Sequence, residues 1–279
     1  MPAPRRILLL SASAGAGHLR AAQALEAACR QEHPGAQVRH LDTLELTPRA
    51  FRALYAQKYL EFVNKAPELL GLLYERTNRP PKSPVGDRLR LLAERLNTRS
   101  FVKFVREFDP DVVVHTHFLP AAILAHQARQ GRLAAPQAVV VTDFDVHRFW
   151  LQPGVARYFV ARPDNALHLA ALGVPRERVA VSGIPIDPLF AQAPDRESLR
   201  RKHAVDPGRP LVLVSCGGFG VGPIESLVEA LVESLPAGAQ LVIVAGRNEA
   251  LRERLARRTQ GARLPARVLG FTSEMHEWM

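Results

Sequence analysis

Short uninterrupted apolar runs alternate along this chain with longer stretches whose apolar residues recur at helical spacing. Arg6 to Ser11 reads as a buried strand, followed by a Gly/Ala-rich turn and a helix from about His18 to Gln31. Further strands are predicted at Gln37 to Leu41, Val112 to Thr116, Ala138 to Thr142, Tyr158 to Ala161 and Arg178 to Ser182. Near-continuous Val/Ile/Leu strands between helices predict a parallel sheet covered on both faces. Around 191–210 the character changes. Ala193-Pro194-Asp195 and Asp206-Pro207-Gly208-Arg209-Pro210 bracket a basic helical stretch, so a linker is placed there. The pattern then restarts: a strand at Leu211 to Ser215, a Gly-rich loop from Cys216 to Pro223, and a helix from Ile224 to Ser234. A strand at Leu241 to Ala245, a helix from Glu249 to Arg258 and a short strand at Arg267 to Gly270 complete it. The fold class expected is α/β: two Rossmann-like domains with mainly parallel sheets, 1–190 and 211–279. Three strands in 211–279 are few for an open sheet, so the second domain reads as partial.

The chain has 279 residues, enough for two ordinary domains. Its 37 Lys+Arg against 27 Asp+Glu give a net charge of +10, which favours polyanionic partners: nucleic acid, anionic lipid or phosphorylated small molecules. Cys29 and Cys216, far apart in sequence, form no disulfide framework or zinc motif and suit a reducing cytosol. The apolar run Ile7 to Leu10 is too short for a signal peptide, and no run approaches the ~20 residues of a spanning helix. Membrane contact is therefore expected to be peripheral. From Phe51, Leu54, Tyr55, Tyr59, Phe62 and Val63 recur at roughly helical spacing. Between 76 and 106, nine cations face only Asp87 and Glu94. An aromatic amphipathic stretch beside a basic one suits an anionic membrane surface, though a solvated face on core helices fits as well. No RNP, KH, zinc-finger or helix-turn-helix signature supports nucleic acid.

Three clusters carry candidate chemistry. Ser11-Ala12-Ser13-Ala14-Gly15-Ala16-Gly17-His18 follows the first strand and opens a helix, where amides and the helix dipole accept an anion or polar ligand. Arg20 stands where a dinucleotide fingerprint needs its third glycine, and no P-loop motif occurs. On spacing alone His18 is equally a site residue or an exposed helix start. Cys216-Gly217-Gly218-Phe219-Gly220-Val221-Gly222-Pro223 sits between strand and helix and would cradle a diphosphate, or would be a tight turn that needs glycine. Thr142-Asp143-Phe144-Asp145-Val146-His147-Arg148-Phe149-Trp150 emerges at a strand's carboxyl end, where open α/β sheets place ligands. His115 and His117 are expected on one face of their strand. With no third ligand in register a metal is not expected, and His117 is preferred as a site residue.

Ser13 to Ala22, the block Thr142-Asp143-Phe144 to His147 to Trp150, Gly183-Ile184-Pro185-Ile186 and Gly217 to Pro223 occur here in a familiar order. With the turn Gly270-Phe271-Thr272-Ser273-Glu274-Met275, the chain resembles the monogalactosyldiacylglycerol synthase and processive diacylglycerol glucosyltransferase family, relatives of the peptidoglycan N-acetylglucosaminyltransferase. The resemblance implies a GT-B fold of two Rossmann-like domains facing a cleft. It implies inverting transfer of a hexose from a UDP-sugar to diacylglycerol at the cytoplasmic face of the membrane, with no cofactor and no metal. On that reading His18 is the base and Asp143 an alternative base or the partner that orients it. Gly15, Gly17, His117, Phe144, His147 and Trp150 meet the acceptor; Gly217, Gly218, Gly220, Gly222, Phe271 and Thr272 meet the donor. A helix N-terminus should keep His18 neutral. The family's Pro-Gly-Gly segment and sugar-gripping Glu would lie beyond Met279, and Phe219 stands where a glycine is common. Alternative functions are a non-catalytic lipid- or membrane-binding module, a GT-B enzyme with another acceptor, and a sugar-nucleotide epimerase.

Overall fold

The computed structural model describes residues 6–13, 15–52, 98–192, 195–218, 220 and 222–279. The aromatic and basic residues expected at a membrane surface between 53 and 97 lie outside the described residues. The chain divides into two compact units, Met1–Pro188 and Leu189–Met279.

In the first unit, six strands form one parallel sheet: β1 (Arg6–Ser11), β2 (Gln37–Asp42), β3 (Val112–His115), β4 (Gln137–Val140), β5 (Arg157–Val160) and β6 (Val179–Val181), in the order β2-β1-β3-β4-β5-β6. Crossover helices α1 (Ala16–Glu32), α2 (Arg99–Phe108), α3 (Phe118–Arg129) and α4 (Pro163–Ala171) cover it. Ile7 to Leu10 are all buried, as expected of a strand with neighbours and helices on every side. Their register pairs Leu10 with both Leu41 and His115. The chain leaves β1 toward β2 and later returns to β3 on the other side of β1. The carboxyl ends of β1 and β3 therefore flank a topological switch point, where such sheets leave a crevice.

On one face, Leu8, Leu10, Phe101, Val105, Phe108, Ile123 and Leu124 form a single apolar cluster. Another joins Val139, Val141, Trp150, Tyr158, Val160 and Leu169. Buried Asn165 is bonded to this frame. Asn165 donates through Nδ2 to the carbonyl of Phe144 at 2.7 Å, and its Oδ1 accepts from Arg162 N at 3.0 Å, joining α4 to the loop after β4.

The second unit holds α5 (Arg196–Lys202), β7 (Leu211–Ser215), α6 (Ile224–Ser234), β8 (Gln240–Val244), α7 (Glu249–Thr259), β9 (Ala266–Leu269) and α8 (Met275–Trp278). Its parallel sheet runs β7-β8-β9, and every residue of central β8 is buried. The stretch 191–210, placed as a linker, carries α5, and Val205 after it packs with Val242 and Trp278. The ring of Trp278 also lies 4.2 Å from that of His203, which fastens α8 to α5.

Phe101 is fully buried, whereas Lys103 on the same helix is exposed. Phe101→Ala should cost about 3–5 kcal/mol of stability by chemical denaturation. Lys103→Ala should stay within about 0.5 kcal/mol.

Candidate active site

The first candidate site grows from the carboxyl ends of β1, β3 and β4. After β1, the Asp42 carboxylate accepts from Ser13 N at 3.1 Å and Leu44 N at 3.0 Å, which pins the turn before α1. Gly15 caps α1 with an extended backbone and without a side-chain hydrogen bond, and the first turn carries no acid. A Cβ at Gly17 would meet nothing within 4 Å, so the helix start is open on that side.

His18, in the first turn of α1, reaches back over the sheet. Its Nδ1 lies 3.0 Å from the carbonyl oxygen of Thr116, just past β3, and 2.7 Å from the hydroxyl of Thr142, just past β4. The Thr116 hydroxyl donates in turn to the carbonyl of His18 at 2.9 Å. A carbonyl oxygen only accepts, so Nδ1 carries the proton and the lone pair of the neutral ring sits on Nε2. Burial lowers the pKa of His18; the Asp143 carboxylate and the Thr116 carbonyl raise it and only partly offset that fall. The ring is thus a neutral acceptor at pH 7. Burial, rather than the expected helix N-terminus, is the main reason.

His117 does not lie on β3. It is buried as the N-cap of α3, its Nδ1 accepting from Leu119 N at 3.0 Å, and its ring meets that of His18 edge-on at 4.6 Å. Burial, and then the neighbouring His18, holds His117 neutral as well. Trp150 is buried beside both rings and donates its indole N–H to Asp143 Oδ2 at 2.7 Å. Asp143 is therefore anchored by Trp150, while Thr116 and Thr142 orient His18. Sequence reasoning missed Thr116 and left Thr142 without a role; both sit immediately past strand ends, which was the available signal. His147 is buried and caps a short 3-10 turn through Phe149 N. Phe144 is 62% exposed at the rim, with the Arg162 guanidinium 5.5 Å from its ring. Gly15, Gly17, His18, His117, Asp143 and Trp150 are thus brought together, with Phe144 at the edge and His147 in the supporting frame.

His115, the supposed partner of His117, is a core residue. It is fully buried, with Nε2 3.0 Å from the Gln137 amide oxygen and Nδ1 without a hydrogen-bond partner. Burial pushes its pKa down to about 4.

The second candidate site lies at the carboxyl ends of β7, β8 and β9. Gly217, Gly220 and Gly222 take φ of +66°, +62° and +111°, which disfavours any side chain. At Gly220 a Cβ would also strike Leu251 and the Ala245 carbonyl at 2.7 and 2.9 Å, so packing alone demands glycine there. Gly218 presents its carbonyl to Arg247 N at 3.1 Å. The loop after β8, Gly246-Arg247-Asn248, was not singled out in the sequence. A Cβ at Gly246 would come within 2.3 Å of the Gly217 carbonyl, so the two turns interlock. The Arg247 guanidinium stacks 4.3 Å above the ring of Phe271, which is 47% exposed. Thr272 spends its hydroxyl oxygen on Glu274 N at 3.0 Å, at the start of α8. Glu225 in the first turn of α6 is paired with Arg254 and Arg258 at 3.1 and 3.3 Å, which neutralises a carboxylate close to the glycine loop.

Among the described residues one group of side chains, His203, Glu274 and Glu277, could surround a metal ion. Lys202 already places its ammonium 3.0 Å from Glu274 and 2.7 Å from Glu277, so a metal would have to displace it.

Two α/β units, each built on a parallel sheet with a turn at the strands' carboxyl ends, define a GT-B type fold. Solved structures agree on the fold. The Anabaena protein HepE in complex with UDP-glucose superposes with a TM-score of 0.53 at 16% identity, over 98% of this chain and 71% of its own. Staphylococcus aureus MnaA with UDP gives 0.55 at 12% identity, over 98% and 71%. The family model described as monogalactosyldiacylglycerol (MGDG) synthase matches residues 18–186, and the chain belongs to that family. It is 32% identical over 171 residues to the processive diacylglycerol beta-glucosyltransferase of Staphylococcus carnosus, covering 61% of this chain and 43% of that protein. It is 28% identical over 292 residues to a probable chloroplastic monogalactosyldiacylglycerol synthase 2 of rice, covering 99% of this chain. The chain spans 43% and 60% of the lengths of these two relatives.

Two measurements check this geometry. In nitrogen-resolved NMR, neutral His18, assigned by loss of its signal in His18→Gln, should be the Nδ1–H tautomer. Asp143→Asn should move its titration to lower pH, because the carboxylate that favours the imidazolium is gone; an unmoved titration would refute that electrostatic contact. Separately, His115 must be neutral in the fold but charges when unfolded. Its contribution is therefore present above pH 6.5 and lost as pH falls toward about 4. Thermal melts should show that acid loss, on the order of 3 kcal/mol, and the double variant His115→Leu/Gln137→Leu should flatten it.

Proposed function

We propose that the complete protein is an inverting hexosyltransferase that moves a sugar from a UDP-sugar to diacylglycerol. The first unit takes the acceptor and the second takes the nucleotide. The observation that carries this reading is the Thr116 carbonyl on His18 Nδ1, which turns Nε2 into the available proton acceptor beside an open helix start. An alcohol attacks an anomeric carbon poorly unless its proton is taken as the bond forms. Nε2 takes that proton while the acceptor oxygen bonds to the anomeric carbon. The bond from that carbon to the β-phosphate oxygen breaks, and its electron pair leaves with UDP. Asp143, held by Trp150, favours the imidazolium so formed. Phe144 at the rim offers apolar surface to the lipid.

In the second unit, the glycine turn at 217–222 and the start of α6 receive the departing diphosphate. Arg247 adds a fixed positive charge at the neighbouring strand end, and the exposed Phe271 ring offers a stacking surface to the nucleotide base. On this reading, amides and arginine carry the developing charge and no metal is needed.

A membrane lipid acceptor implies work at a membrane surface, and we place the protein at the cytoplasmic face. Among the described residues no helix is long and apolar enough to cross a membrane, and the net charge of +10 favours an anionic surface.

Incubation with UDP-glucose or UDP-galactose and diacylglycerol in mixed micelles should yield a hexosyl lipid. His18→Ala should slow turnover by about 10²–10⁴-fold while leaving UDP affinity unchanged. Normal turnover in that variant would remove His18 from the base role.

A further inference from the structure

Helices α2 and α3 lie side by side on one face of the first sheet, sharing Phe101, Val105, Ile123 and Leu124 in one cluster. Between them runs a groove of about 560 Å³. Arg99 and Arg106 line it from α2, Gln127 from α3, and Gln130 and Arg132 from the turn that follows. The walls thus carry three guanidiniums, and no carboxylate is among the described lining residues.

The division of charge on α2 is specific. Lys103 is paired with Glu107 at 3.6 Å, away from the groove. Arg99 and Arg106 share the groove face with Val102, as spacings of three and four residues require. None of Arg99, Arg106 and Arg132 has an ion-pair partner among the described residues. Three cationic side chains line one concavity, and a bound anion would offset their charge. Guanidinium forks match phosphate oxygens in pairs, and two amide side chains nearby can bond the remaining oxygens or an attached polar group. The volume falls within the range of small-ligand sites. The groove is distinct from the His18 site: Gln127 and Gln130 lie near the end of α3, some 15 Å along the helix from His117 at its start.

We propose that this groove is a second site that binds a phosphate group, carried by a lipid headgroup or by a soluble phosphate ester. It stands whether or not the protein is a transferase.

The test uses the whole 279-residue chain. Calorimetry with inorganic phosphate and glycerol phosphate tests a soluble ligand. Flotation with phosphatidylcholine vesicles, with and without phosphatidylglycerol, tests a headgroup. Saturable binding to the soluble probes assigns the site to a free ester; binding only to the anionic vesicles assigns it to a headgroup. In either arm Arg99→Gln/Arg106→Gln/Arg132→Gln should weaken binding at least about tenfold. Lys103→Gln/Arg129→Gln/Arg157→Gln removes the same charge from outside the groove and should change it less than about twofold. Circular dichroism confirms that both variants fold. No binding to any probe, or equal losses in the two variants, would overturn the proposal.

Discussion

The carbonyl of Thr116 can only accept a hydrogen bond, and His18 Nδ1 lies 3.0 Å from it. That contact selects the tautomer, the ring orientation and the nitrogen left for chemistry. It exists because β1 and β3 are neighbours in the sheet while their crossovers lead elsewhere. The residue after β3 thus faces the helix that follows β1. The surrounding side chains are arranged around this contact. Thr142 adds a hydroxyl from the next strand end, Trp150 fixes the carboxylate of Asp143, and His117 fills the remaining side with a second neutral ring. Burial and a nearby anion act in opposite directions on His18. Burial wins, which keeps the ring uncharged without removing all of its basicity.

The second unit repeats the same geometric rule with different materials. Its strand ends supply backbone turns and a stacked arginine instead of imidazoles. One unit thus places a neutral imidazole at its strand ends, and the other places a glycine turn beside a cation. On the function proposed above, this difference suits a reaction with a nucleophile to activate and an anion to release.

Much of this was legible in the sequence. The strands were visible because parallel strands buried on both faces leave continuous apolar runs, and Ile224 to Ser234 is a helix over the whole expected span. The glycine turns and the Asp143-to-Trp150 block stood out because they follow such runs. What was not legible depends on contacts between distant residues. Thr116 and Thr142 are 98 and 124 positions from His18, and no local pattern relates them. His117 was placed on a strand because alternation does not reveal where a strand gives way to a helix cap. Arg247 was overlooked because its neighbour Gly246 stands alone in the sequence, and only the fold brings it against Gly217.

The approach of Gly246 to the Gly217 carbonyl ties two turns that are almost thirty residues apart. Neither can change its path without pushing the other. In any attempt to recombine halves of related proteins, the two turns have to be moved together. A foreign β7 turn joined to a native β8 turn would bring together surfaces never fitted to each other, even where both sequences look acceptable alone.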